Sequence, residues 1–121
     1  MATRSAERVD FLAGVLTTAV EGGIGYWSMA EGYTWEQDEH GMMTEARVQL
    51  HPIEGEFKPV NVTIDTIAKG IGLVSRPDFK VRDDIRRWVI EGSRTNDGGN
   101  VDSNCADVIV QAALFGEIVY G

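Results

Sequence analysis

The sequence predicts an α+β fold, a small three-stranded antiparallel sheet packed by an N-terminal helix and three C-terminal helices. Three observations carry that prediction: a helical stripe precedes any strand pattern, two clean period-two alternations occupy the middle, and three helical segments follow. At 121 residues the chain is the size of one domain, spanning 1–121, and its periodic apolar residues can build a genuine core.

The first helix is read over Ala6 to Val20. Val9, Leu12, Leu16, Ala19 and Val20 fall at helical spacing, and Phe11 and Val15 widen the stripe. Ser5 is placed to cap it, and Gly22 or Gly23 to end it in the left-handed conformation. Ile24 to Trp35 then reads as an aromatic, extended segment, with Gly32 marking a bulge or bend. Tyr26 and Trp27 are expected to begin this strand on opposite faces, so that at most one of them enters the core.

Glu36 to Gly41 is a charged turn suited to joining antiparallel neighbours. Ala46, Val48 and Leu50 alternate with polar residues as a strand that Pro52 ends, and Val60, Val62 and Ile64 repeat the pattern. From Ile64 to Ser75 the period changes, with Ile67, Ile71 and Val74 on one stripe and Thr63 or Asp65 as cap. Gly70 and Gly72 weaken this helix and point to a closely packed neighbour. Val81, Ile85, Trp88 and Val89 define the next helix, ending near Gly92, and Ser93 to Ser103 reads as a loop. The last helix, capped by Ser103 or Asn104, is apolar almost all round from Ala106 to Val119. It must be covered by the rest of the fold or by a second subunit, hence the expectation of a homo-oligomer.

Composition narrows the function classes. Eleven Lys and Arg stand against 19 Asp and Glu, and a net charge of −8 repels phosphate backbones, which disfavours generic nucleic-acid binding. The one cysteine, Cys105, excludes an internal disulfide and lies in an apolar helical pattern, consistent with the cytoplasm. The first apolar stretch is broken by Asp10, Gly14, Thr17 and Thr18, so neither a signal peptide nor a membrane span is expected.

No motif names a reaction. Gly22-Gly23-Ile24-Gly25 lacks the spacing and the lysine of a phosphate loop. His40 and His51 have no ligand partners at metal-binding spacing, and no nucleophile–base pair or facing carboxylates can be read, so no catalytic residue, metal or cofactor is assigned. The candidate binding residues are Glu21, Gly23, Tyr26, Trp27, Tyr33, Trp35, Arg82 and Arg86. Glycine permits close approach and the aromatics offer stacking faces. Arg82 and Arg86, four apart on one helix face within the cationic run from Arg76 to Arg87, could grip a phosphate or carboxylate.

The blocks Ala19 to Trp27 and Ala106 to Gly121, with Ile64 to Gly70, resemble small uncharacterised proteins of actinobacterial bacteriophages and prophages. No activity comes with that resemblance. It implies a non-enzymatic phage accessory protein that binds a host component in the host cytoplasm, with inhibition of host defence as one form of that role. The alternatives are a protein that binds or sequesters a small signalling nucleotide, and a small enzyme of unknown class.

Overall fold

The computed structural model describes residues 3–54 and 58–121 and has the expected α+β arrangement. The order is α1 (Ala6–Thr18), a π-helical turn (Ala19–Gly23), β1 (Ser28–Gln37), β2 (Met43–Pro52), β3 (Val60–Thr63), α2 (Ile64–Val74), α3 (Asp83–Thr95) and α4 (Ser103–Phe115). The sheet is antiparallel with β2 central, paired to β1 on one side and β3 on the other. Its inner face carries Ala46, Val48, Leu50 and Val62, all buried, so the period-two pattern maps directly onto the core.

The N-cap of α1 is Ser5, whose hydroxyl accepts from the Arg8 amide at 3.1 Å. Its C-terminus departs from expectation. Neither Gly22 nor Gly23 has positive φ. The helix instead widens by one residue, so that the Ile24 amide donates to the Ala19 carbonyl at 3.1 Å. The turn presses Gly23 onto the start of α4, where a Cβ would lie 2.6 Å from the Ser103 carbonyl oxygen. Gly23 is there for close approach, and a side chain would push the two elements apart.

Other boundaries shift for similar local reasons. β1 begins at Ser28, so Tyr26 and Trp27 lie in the turn before the sheet. Gly32, at φ +66°, sits where the β1–β2 register slips between Glu31 and Thr34, the expected bulge. The N-cap of α2 is Thr63, one of the two expected, and its amide donates to Thr66 Oγ1 at 3.1 Å in a capping box. Helix α3 runs through Gly92 to Thr95 and ends on Asn96 in the left-handed conformation. Val81 precedes it, and Trp88, placed on the core stripe by its spacing, is partly exposed. The cap of α4 is Asp102, whose carboxylate accepts from the Cys105 amide at 2.9 Å, one residue ahead of Ser103 and two ahead of Asn104, the expected caps. Gly116, at φ +75°, stops α4 before Ile118 and Val119.

Helix α4 is the axis of the fold. Every residue from Cys105 to Ala113 is buried, enclosed by α1, α2, α3 and the π-helical turn of the same chain. The cover that its all-round apolarity requires is therefore supplied internally, without a second subunit. The crossing with α2 is tightest at Gly70, where a Cβ would come 2.1 Å from the Ile109 carbonyl oxygen, whereas Gly72 faces open space. Arg8 joins α1 to the end of α3, donating to the Ser93 carbonyl at 2.7 Å and to Asn96 Oδ1 at 3.0 Å. A cation at that helix end also meets the negative pole of α3. Among the described residues no helix is long and apolar enough to cross a membrane.

Candidate functional site

The turn after the π-helical segment separates the two adjacent aromatics. Trp27 is 2% exposed, whereas Tyr26 is 56% exposed. The amides of Trp27 and Ser28 both donate to the Ile24 carbonyl, and this tight turn sends one ring inward and the other outward.

Both rings are tied to one buried carboxylate. Asp107 Oδ1 accepts from Trp27 Nε1 at 2.8 Å and from Gln111 Nε2 at 2.9 Å, and its Oδ2 accepts from the Tyr26 hydroxyl at 2.6 Å. Three neutral donors thus meet a carboxylate that no cation contacts among the described residues. The burial of its hydroxyl and then the Asp107 bond and charge push the Tyr26 phenol up to about 12.

Gln111 extends the network to the chain's last residues. Its Oε1 accepts from the amides of Val119 and Tyr120, each at 2.8 Å, and its Nε2 donates to the Tyr120 carbonyl at 3.1 Å. The carboxamide treats the tail as a neighbouring strand would. The Tyr120 ring then lies parallel to Trp27, with centroids 5.2 Å apart and planes 5° apart, and Phe115 meets both edge-on.

Tyr26 stands between two open grooves. One, of about 290 Å³, is lined by Trp27, Ile53, Glu54 and Tyr120; the other, of about 580 Å³, by Arg82, Asn104, Val108 and Ile118. Tyr26 and Arg82 are therefore brought together on one wall. Gly23 is packed under α4, and Glu21 is exposed on the π-helical turn. Tyr33 is half-buried, its hydroxyl 2.6 Å from Thr17 Oγ1, and Trp35 stands 49% exposed on β1; neither lines the Tyr26 grooves.

The two arginines diverge. Arg82 is exposed and forks onto Asp84, with Nε 3.1 Å from Oδ1. Arg86 turns inward, donating to Asp83 Oδ1 at 3.1 Å and to the Phe79 carbonyl. Both spend their donors on the chain itself, which weakens a joint grip on a ligand.

Asp107 and Gln111 were not among the sequence candidates. The available signal was a polar pair four residues apart inside a helix otherwise apolar on every side, a spacing that stacks both side chains on one stripe. Cys105 is buried as expected, and burial, followed by its contact with Asp102, pushes its thiol up to about 11. No group of three or more acidic, histidine or cysteine side chains among the described residues is placed to hold a metal. Comparison with protein-family models, curated proteins and solved structures finds no match.

Proposed function

We propose that the chain is a non-enzymatic binding protein that recognises a protein partner through the face around Tyr26. One observation carries the reading: the Tyr26 ring is more than half exposed while its hydroxyl is fixed to buried Asp107. An exposed aromatic normally loses rotamer freedom on binding, and this one has already lost it, so it is pre-organised as an anchor. Exposed Ile53 shares its apolar groove with Trp27 and Tyr120 and extends the contact surface. The groove is open to solvent, so a protein surface can reach it.

The resemblance to actinobacteriophage proteins supports a host-cell component as the partner, met in the host cytoplasm, and an inhibitor of host defence is the specific form of that reading. The net charge of −8 favours a partner with a cationic surface and speeds its approach. Because α4 is enclosed within the chain, this reading does not depend on self-association.

The test compares wild type with Tyr26→Ala and Trp35→Ala as baits in an actinobacterial lysate, followed by titration of the recovered protein in purified form. Tyr26→Ala should weaken the purified pair by roughly 30-fold, a hot-spot effect of about 2 kcal/mol, while Trp35→Ala stays close to wild type. Equal affinity of wild type and Tyr26→Ala would reject this face.

A further inference from the structure

The cationic run from Arg76 to Arg87 is divided by the fold. Arg82 and Arg86 are neutralised by Asp84 and Asp83, but Arg76 and Lys80, in the connection between α2 and α3, and Arg87 on α3 are exposed and form no ion pair or side-chain hydrogen bond among the described residues; Arg76 and Lys80 share one groove. On a chain with a net charge of −8, these two cations make a local positive contribution on a wall they share with Asp78. They line an open groove of about 480 Å³, within the size range of small-molecule sites, between that connection and Gly116–Ile118 of the tail.

The rest of the groove has a definite chemistry. Leu73, Phe79 and Ile118, all packed against the core, contribute its apolar side chains. Asp78 and Glu117 also line it, and neither has an ion-pair partner among the described residues. Ionised carboxylates only accept hydrogen bonds, so a ligand that tolerates them must bring hydroxyl or amino donors. The inward-turned Arg86 has a structural role here, since its bond to the Phe79 carbonyl holds the backbone that presents Phe79 and Lys80.

We propose that this groove binds a small nucleotide, with the phosphate meeting Arg76 and Lys80, the ribose hydroxyls donating to Asp78 or Glu117, and the base lying against Phe79. Arginine supplies a fork and lysine a point charge for the phosphate, while the apolar wall takes the flat base. The site shares Ile118 with the larger groove beside Tyr26, has its other lining residues to itself, and does not rest on the reading given to that face.

Calorimetry and amide chemical-shift mapping on the full chain test it, with the four nucleoside monophosphates as probes and adenosine and inorganic phosphate as fragments. At least one nucleotide should bind saturably, shifting the amides of Phe79, Lys80 and Glu117, and each fragment should bind at least about tenfold more weakly. The Arg76→Ala/Lys80→Ala double variant should lose about tenfold or more in affinity, whereas Arg82→Ala and Tyr26→Ala should stay within about twofold. Absence of binding by all four nucleotides overturns the proposal. So does binding that survives the double variant, or shifts that gather at Tyr26 and Arg82.

Discussion

Gln111, wholly buried in α4, grips Tyr120 by its backbone, accepting from the amide at 2.8 Å and donating to the carbonyl at 3.1 Å. A single side chain thereby supplies the pairing that a β-strand would otherwise give the tail. The parallel packing of Tyr120 on Trp27 depends on that grip, and so does the floor of the groove beside Tyr26.

Replacing Gln111 by Leu keeps the volume but leaves the Val119 and Tyr120 amides without their acceptor. The expected loss is roughly 2 kcal/mol in denaturant unfolding, the cost of leaving several part-buried polar groups without their partner. Hydrogen exchange gives the sharper reading, because the amides of 119 and 120 should lose protection ahead of α4. Unchanged protection there would show that the tail is held by ring packing alone.

The two glycines of α2 predict opposite outcomes. Gly70→Ala drives a methyl group against the backbone at Ile109 and should destabilise by about 3 kcal/mol, because neither backbone can yield without parting α2 from α4. Gly72→Ala meets open space in a helical conformation and should stabilise by roughly 0.5–1 kcal/mol through a less flexible unfolded chain. Thermal unfolding midpoints moving in the same direction would refute this packing of α2 on α4.

Tyr26 should be visible in an alkaline titration as a phenol near 12, missing from Tyr26→Phe. The folded value lies above the ordinary 10.0, so the unfolded chain releases its proton first. The associated stability is therefore complete below about 10 and declines as pH climbs through about 12, and Tyr26→Phe should flatten that decline. Asp107→Asn should lower the value without restoring 10.0, since burial is the larger cause. A wild-type profile in which no tyrosine titrates near 12 would argue against the bond between Tyr26 and Asp107.

Much of the architecture was legible because it follows from local chemistry. The alternation through Ala46, Val48 and Leu50 must expose one face of a strand and bury the other, and Ser5 lies where a side-chain oxygen can satisfy an orphan amide. The cap of α4 was missed by one residue, since Asp102, Ser103 and Asn104 are all competent and only the path of the preceding loop selects among them. The end of α1 was missed because contact between Gly23 and Ser103 across 80 positions, and not glycine's local freedom, decides the backbone there.

By itself, then, the sequence determined the class of fold, the order of its elements and the need to cover an apolar final helix, all properties of neighbouring residues and their periods. Only the tertiary structure decided that Trp27 goes in and Tyr26 out, that Asp107 and Gln111 join them to the tail, and that Arg76 and Lys80 stay unneutralised while Arg82 and Arg86 do not. Those outcomes depend on which distant groups meet at hydrogen-bond range, and the Glu21 to Trp27 segment acquires its role from α4, about 80 residues further along the chain.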